Sequence, residues 1–362
     1  MRTSNYLWAV LVTVALSLAA CAGDENENEL QPKERTAKVE LILTGTPAET
    51  KATGTLPTSE VTINRVTVGI FNSDGTTNTI AEPTLENKKY TFNCMPGTCD
   101  IIVVANAPTG TFTGVTTKSA FIAKTVILSQ TATSDVQNAS NLPMSGKAEK
   151  VTLTAGKETT QTISLSRLVA RICINNIKTA FDSKGQYSKA TFSLKKVFLH
   201  NAMSTSQVTP EAAPTTTLPL SGSVDANNKY LQTALTTAAS IGTSANTTNY
   251  WFYTFANTNA TKTKLVLFGS FDPDGTTGAT AATDVYYPVV INKKQPGTTI
   301  TGGTDAQKGT STVLRNTLYN ITATIKGKGV DSPDKDIEPA TLVLTVEVAA
   351  WALTITQDVT FE

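Results

Sequence analysis

Apolar and polar residues alternate with a period of two through most of the chain. The alternation recurs in short segments: Val39-Leu41-Leu43, Val61-Ile63, Val66-Val68-Ile70, Ile101-Val103, Val151-Leu153, Ile163-Leu165, Ile172-Ile174 and Leu265-Leu267. Turn-forming clusters such as 72–75 (Asn-Ser-Asp-Gly) and 272–275 (Asp-Pro-Asp-Gly) separate them. Because neighbouring side chains on a strand point to opposite faces, this pattern predicts short, half-buried antiparallel strands. The predicted fold class is therefore all-β, and the regular strand spacing favours sandwiches over barrels.

A few stretches depart from the simple alternation. Thr117–Leu128 and Gln207–Leu218 leave room for a helical turn or an irregular loop, and Thr233–Thr248 is predicted to be a surface loop. Aromatic residues concentrate at Tyr250–Phe255 and alternate across both faces, which predicts a central strand buried on both sides. A flat surface for stacking carbohydrate is the alternative interpretation of these aromatic side chains.

The first residues have the pattern of an export signal. Arg2 supplies a basic start, Leu7–Leu18 supply an apolar run, and small residues precede Cys21. The run is too short to span a bilayer. Leu18-Ala19-Ala20-Cys21 resembles the lipobox of bacterial lipoproteins, which predicts a signal peptide at 1–20 and acylation of Cys21. The acidic, polar stretch Gly23–Arg35 is predicted to be a solvated tether.

Length and residue pattern divide the rest of the chain. About 320 residues remain beyond the tether, which is enough for two domains with sizeable cores. We predict a propeptide at 21–51, an N-terminal β-sandwich domain at 52–165 and a C-terminal one at 166–339. The final segment, 340–362, is extended and places Leu342, Leu344, Val346 and Val348 on one face.

Charge and cysteine content exclude several classes of function. The formal net charge is +1 and charged residues make up 16% of the chain, so no basic face for nucleic acid is expected. Cys94 and Cys99 flank a turn-forming tetrapeptide, and a disulfide across a hairpin there is one expectation; Cys173 is expected to be a buried thiol. The single histidine, His200, lies among apolar residues without a nucleophile motif and is expected to be structural. We predict no metal, no cofactor and no catalytic residues.

The two ends of the chain suggest how molecules of this kind could associate. Lys38–Thr44 forms an apolar-alternating first strand (Val39, Leu41, Leu43), and the flexible loop Gly45–Thr55 that follows contains Lys51-Ala52, a bond open to a trypsin-like protease. Cutting there would release the first strand and expose an apolar groove with unpaired backbone groups. The terminal segment of a neighbouring molecule could fill that groove by β-augmentation. Such a head-to-tail contact does not close on itself and propagates as a filament.

Four passages resemble the fimbrillin family, whose members are FimA-like subunits of the type V pilus. They are the lipobox at Cys21, Arg167–Ile172, Asp284–Val290, and an ending that runs from Leu314–Ile321 through Lys326–Gly329 to Val346–Trp351. The resemblance implies two transthyretin-like sandwich domains, an outer-membrane lipoprotein precursor, proteolytic loss of the first strand, and polymerisation by strand exchange. On these positions it implies lipidation of Cys21, maturation at Lys51-Ala52, and a donor strand carrying Leu342, Leu344, Val346, Val348 and Trp351. The family's usual protease cuts after arginine, and this loop offers lysine.

The leading hypothesis is therefore a stalk subunit of a surface pilus that supports adhesion. Its expected partners are copies of itself, other pilus subunits, a trypsin-like protease and the outer membrane that holds the lipid anchor of the precursor. One alternative is a tip or accessory subunit, which would lack a usable tail or a cleavable loop. Another is a monomeric surface lipoprotein that binds glycans through the aromatic residues at Tyr250–Phe255.

Overall fold

A computed structural model describes residues 36–45, 58–83, 90–133, 135–209, 220–222, 226–275, 280–338 and 341–351. Strands dominate these ranges, and the one α-helix, α1 (Lys118–Ile122), is short, so the all-β prediction is confirmed. The strands are β1 (Ala37–Gly45), β2 (Val66–Asn72), β3 (Thr77–Ala81), β4 (Tyr90–Cys94), β5 (Gly97–Ala105), β6 (Thr125–Ile127), β7 (Ala132–Thr133), β8 (Val136–Gln137), β9 (Met144–Leu153), β10 (Glu158–Arg167), β11 (Val169–Thr179), β12 (Thr191–His200), β13 (Thr205–Gln207), β14 (Gln232–Ile241), β15 (Tyr250–Phe255), β16 (Lys264–Asp272), β17 (Thr283–Val290), β18 (Thr298–Gly302), β19 (Thr317–Ile325) and β20 (Leu342–Ala350). Short 3-10 helices span Thr58–Val61, Leu128–Thr131, Ala139–Asn141 and Ala226–Leu231.

The first sheet has seven strands in the order β3-β2-β5-β9-β10-β1-β4. β10 changes its pairing partner along its length, because residues 158–165 pair with β1 whereas Ser166 and Arg167 pair with β9. The backbones of β9 and β10 approach closely at Gly146, where an added Cβ would lie 2.3 Å from the carbonyl oxygen of Ser164. Glycine is therefore required at the point where β10 changes its pairing partner.

The strands from β11 onward form two further sheets. The second sheet has the order β15-β11-β19-β20-β18, and the third sheet has the order β14-β12-β16-β17. Apolar side chains of all three sheets belong to one continuous core. The short pair β6 and β13 joins the part of the chain before Arg167 to the part after it. The predicted boundary between 165 and 166 falls inside β10, and the division into two domains stays a prediction.

Several local predictions can be compared directly with the structure. The helical turn expected within Thr117–Leu128 is confirmed by α1, which Thr117 caps by accepting a hydrogen bond from the amide of Ala120. The surface loop predicted at Thr233–Thr248 is wrong in its first half, which forms β14; most of its side chains are partly or fully exposed, so it lacked an apolar signal. The predicted strand at Val61-Ile63 is also wrong, since Val61 ends a 3-10 helix.

The aromatic strand is buried as predicted, but it does not occupy the predicted position. Tyr250, Phe252, Tyr253 and Phe255 are all buried, and Trp251 is half-buried. Their strand β15 pairs with β11 and forms the edge of the second sheet instead of its centre. The side chains of β15 are buried because other parts of the chain pack against this edge of the sheet. The alternation of apolar residues along β15 does not predict such packing.

Candidate functional site

The first strand lies inside the first sheet, between two neighbours. β1 runs parallel to β10, with Val39 opposite Thr159, and antiparallel to β4, with Val39 opposite Phe92. Val39 and Leu41 are fully buried and Leu43 is 4% exposed, so the predicted strand and its buried face are confirmed. We call the space between β10 and β4 that β1 fills the β1 groove.

Removing β1 would change the first sheet in a defined way. Residues 158–165 of β10 and 90–94 of β4 would lose their backbone pairing on one side, and the core face under Leu41 would open. The predicted cleavage bond Lys51-Ala52 and the predicted lipid site Cys21 lie outside the described residues. Both stay predictions, as does the release of β1.

The structure gives the predicted donor residues a different place from the one that sequence suggested. β20 pairs antiparallel with β19 and parallel with β18, so it is an interior strand of the second sheet. Its alternating apolar side chains are all buried in the chain's own core: Leu342, Leu344, Val346 and Val348. An unbroken apolar face near a chain end is equally suited to a native strand, which is why the sequence could not separate the two. Residues 342–350 could act as a donor only after leaving both neighbours.

A buried polar cluster connects the end of β20 to the 3-10 helix Thr58–Val61 and to β10, β11 and β15. We call Glu60, Arg167, Arg171, Tyr253 and Trp351 the junction cluster. The carboxylate of Glu60 accepts hydrogen bonds from Arg171 Nη1 at 3.1 and 3.2 Å and from the hydroxyl of Tyr253 at 2.6 Å. Glu60 is 1% exposed and Arg171 is 6% exposed, so this is a buried ion pair.

Arg167 connects Glu60 to Trp351 within the junction cluster. Its Nε and Nη2 donate to the carbonyl oxygen of Glu60 at 3.3 and 3.2 Å, and its Nη1 donates to the carbonyl oxygen of Trp351 at 3.3 Å. The guanidinium carbon also lies 4.3 Å from the centre of the Trp351 ring. Arginine can make these contacts together because its planar fork carries several donors and its face stacks on aromatic rings.

A second connection runs through the backbone beside the cluster. Asn316 has a left-handed conformation with φ of 51° and accepts from two amides: its side-chain oxygen from Arg167 at 3.3 Å and its carbonyl oxygen from Trp351 at 3.0 Å. The Trp351 ring stacks on Tyr253 with centroids 5.8 Å apart. Trp351 is 1% exposed and is held by its backbone and its ring at the same time.

Burial sets the protonation of the cluster. It lowers the pKa of Arg167 to about 10, a shift that the negative charge of Glu60 opposes. Burial first, and then the charge of Glu60 and the hydrogen bond to it, raise the pKa of Tyr253 well above its ordinary value. At neutral pH Arg167 is therefore charged and Tyr253 is a neutral donor. Sequence reasoning noticed the Arg167–Ile172 motif but missed Glu60, which stands alone in a Thr- and Ser-rich segment without periodicity.

The loop that leads to β20 is also pinned to the body. Lys264 Nζ donates to the carbonyl oxygens of Pro333 and Asp334 at 3.1 and 2.7 Å. His200 bonds the Ser221 hydroxyl through Nδ1 at 2.9 Å and an Asp334 carboxylate oxygen through Nε2 at 2.8 Å. The expected structural role of His200 has a concrete form here, because the ring fastens the segment before β20 to β12.

The cysteine turn differs from the predicted hairpin. β4 and β5, which carry Cys94 and Cys99, do not pair with each other; β4 pairs with β1 at one edge of the first sheet, whereas β5 pairs with β2 and β9. Both thiols are free and buried, as is Cys173. Burial raises the pKa of Cys99 to about 11, with a contribution from Cys94. The two thiols are not bonded in the structure, and the disulfide stays a prediction.

The described ranges show no feature of a metal or membrane-spanning site. Among them there is no group of three or more His, Cys, Asp and Glu side chains placed to hold a metal ion. None of the helices within those ranges has the length and apolar character needed to cross a membrane.

Comparison with known proteins identifies the class of molecule. A family model described as major fimbrial subunit protein (FimA) matches residues 37–196, and one described as FimA4 pilin C-terminal domain matches residues 271–351. Both matched models describe FimA-type fimbrial subunits, so the chain is similar to these subunits in both its first and its second half. It is 26% identical over 401 residues to the major fimbrium subunit FimA type-5 of Porphyromonas gingivalis, covering 94% of this chain and 96% of that protein.

A solved structure extends the comparison to the fold. A fimbrilin (FimA) from Porphyromonas gingivalis W83 superposes with a TM-score of 0.67 at 19% identity, covering 89% of this chain and 99% of that one. The predicted resemblance to fimbrillins and the predicted β-sandwich fold are confirmed. A FimA-family chain is a structural subunit of a cell-surface fimbrium that polymerises with other pilus subunits, and the family is not an enzyme family.

Proposed function

We propose that this chain is a stalk subunit that polymerises by strand exchange after proteolysis of its precursor. The observation that carries the proposal is the position of β1, which is an interior strand of the first sheet between β10 and β4. The segment 46–57, which contains the proposed cleavage bond, follows it directly in the sequence. Cutting Lys51-Ala52 removes the covalent link between β1 and the body. The β1 groove then accepts a strand from a neighbouring subunit.

The energetics favour refilling the β1 groove. The three aliphatic side chains Val39, Leu41 and Leu43 are buried, and each contributes roughly 1.5 to 3 kcal/mol, or about 5 to 9 kcal/mol together. Pairing with β10 and β4 adds about 1 kcal/mol for each backbone hydrogen bond. An empty groove loses both contributions, so a strand with the same alternation binds there strongly.

We propose that the donor is the part of the terminal segment that follows Trp351. Leu353, Ile355, Val359 and Phe361 form a new period-two pattern in the phase of Trp351, which Gln357 interrupts once. Residues 352–362 reach about 36 Å when extended, which exceeds the roughly 30 Å of the nine-residue β1. This proposal leaves β20 in place, whereas a donor that included 342–350 would have to break its pairing with β18 and β19 first.

The precursor is proposed to be an outer-membrane lipoprotein acylated at Cys21. The supporting feature is the lipobox-like Leu18–Cys21 after an apolar run. Metabolic labelling with a radioactive fatty acid tests it: label is expected in the wild type and absent from Cys21→Ala. Label retained by Cys21→Ala would place the acyl chain elsewhere.

Limited trypsin treatment of the purified precursor tests strand exchange. We expect a new N-terminus at Ala52 and a ladder of oligomers on electrophoresis without boiling. Lys51→Gln, which removes the cleavage site and leaves the body unchanged, is the matched control and should give monomer. Monomer from the wild type after verified cleavage would refute the stalk assignment.

Two further variants locate the donor. Deleting 352–362 should abolish the ladder without unfolding the monomer, whereas deleting 341–362 would remove the interior strand β20 and is uninformative. A second variant pairs Thr322→Cys with Thr345→Cys, which face each other across β19 and β20. If the oxidised form still makes the ladder, β20 stays in place. A ladder that forms only after reduction would assign the donor role to β20.

The glycan-binding alternative loses its main support. The aromatic residues of β15 are mostly buried in the core, with only Trp251 half-buried. They form no open stacking surface.

A further inference from the structure

The junction cluster lies between the β1 groove, which accepts a neighbour's strand, and the start of the subunit's own proposed donor. β10 lines the β1 groove with residues 158–165, and two residues later Arg167 reaches Trp351. The separation along the strand is about 7 Å. Trp351 is in turn the last described residue before the proposed donor, so the end of β10 beside the groove and the start of the donor are connected through the Arg167 guanidinium and through Asn316.

In a filament under tension, the load passes through this part of each subunit. Tension enters a subunit through the strand held against β10 and leaves through the segment after Trp351, so the end of β20 next to Trp351 is the first part of the second sheet to bear the load. Peeling of β20 from β19 would begin there. The carbonyl contact from Arg167, the amide contact to Asn316 and the ring stack on Tyr253 all oppose that first step.

We propose that the junction cluster carries tension between neighbouring subunits, holding Trp351 against the end of β10 so that β20 does not peel. This inference rests on the proposed strand exchange. Glu60 holds the other members in position, because its carboxylate accepts hydrogen bonds from Arg171 and Tyr253 and its carbonyl oxygen accepts two from Arg167. A cation and an aromatic ring held in this way resist displacement more than either would alone, since each contact is buried and directional.

Charge and burial explain why the cluster survives cleavage of the preceding loop. Glu60 follows Ala52 of the proposed cut by eight residues, and its carboxylate accepts three hydrogen bonds in a buried site. Withdrawing it would leave the buried cations Arg167 and Arg171 without a counter-charge that now faces them. Glu60 is therefore retained at the junction while β1 departs.

Force measurements on assembled filaments test the inference. Filaments grown from cleaved wild type, Tyr253→Phe, Glu60→Gln and Tyr287→Phe are held at a fixed load, and their lifetimes are compared. Tyr253→Phe removes one hydroxyl from the cluster and keeps the ring. Tyr287→Phe is the matched control, because it removes another buried hydroxyl, which donates to the carbonyl oxygen of Gly327 at 2.9 Å in a different part of the chain.

Lifetimes of Tyr253→Phe and Glu60→Gln filaments are expected to be about tenfold shorter than those of Tyr287→Phe filaments. The reason is that peeling of β20 must break the cluster, and the loss of one charge-assisted hydrogen bond lowers the barrier to peeling by an amount that raises its rate about tenfold. Equal lifetimes in Tyr253→Phe and Tyr287→Phe would overturn the mechanical role while leaving strand exchange intact. Failure of cleaved wild type to form filaments would overturn both. If Glu60→Gln does not fold, Tyr253→Phe alone decides the outcome.

Discussion

A substitution in β1 should weaken the precursor and leave the fibre unchanged. Leu41 is fully buried and lies opposite Gln161 of β10 and Tyr90 of β4. Leu41→Ala removes its outer methyl groups and leaves a cavity, so the free energy of unfolding of the uncut precursor should fall by about 2 to 5 kcal/mol. Because strand exchange discards β1, the assembled subunit no longer contains residue 41 and should keep its wild-type stability.

Urea titrations provide the assay. Unfolding of the precursor is followed by circular dichroism, and dissociation of assembled fibres is followed by electrophoresis without boiling. Ile42→Ala is the control on the same strand, since Ile42 is only half-buried and should weaken the precursor less. If Leu41→Ala fibres dissociate at lower urea than wild-type fibres, β1 is still present in them and the reasoning fails.

Four smaller predictions follow from individual contacts. Leu344→Ala should destabilise precursor and fibre alike by about 2 to 5 kcal/mol in urea unfolding, because β20 stays in both; an effect confined to the precursor would contradict this. Cys94 and Cys99 should resist alkylation at pH 8, since burial raises their pKa values, and cleavage should expose Cys94 first because it pairs with Ala37 of β1. The hydrogen bond from the imidazole lowers the pKa of Asp334, so its contribution to stability is present above the unfolded carboxyl pKa of about 3.9 and is lost as pH falls through the lowered pKa of the folded state; Asp334→Asn should lower the melting temperature at pH 7, and the difference from wild type should shrink as the pH is lowered below about 3.9. Gly146→Ala should lower the yield of folded protein, as its Cβ would meet a carbonyl oxygen at 2.3 Å, and normal thermal unfolding would contradict that.

Much of the fold was readable because alternation directly reports which strand faces are buried. β1 shows this well: Val39, Leu41 and Leu43 predicted both the strand and its core face. β14 was missed because most of its side chains remain exposed, so its sequence lacks the apolar alternation that marks the other strands, although it pairs with β12. Sheet order is a matter of long-range pairing, which is why β15 was placed at the centre and the cysteine turn was taken for a hairpin.

The candidate site was only half visible in the sequence. The first strand and the Arg167–Ile172 motif could be found by pattern, but the partner of both arginines, Glu60, is more than a hundred residues away and has no local signature. For β20 the pattern was visible in the sequence, but its role was not. Its apolar face is real, yet sequence cannot say whether that face fills its own core or a neighbour's groove.

Strand exchange is tested most directly by the intact mass of subunits taken from purified fibres. The account predicts a single species that begins at Ala52 and lacks residues 37–45. Subunits that retain those residues within the fibre would show that β1 never leaves its groove, and the proposed mode of assembly would be wrong.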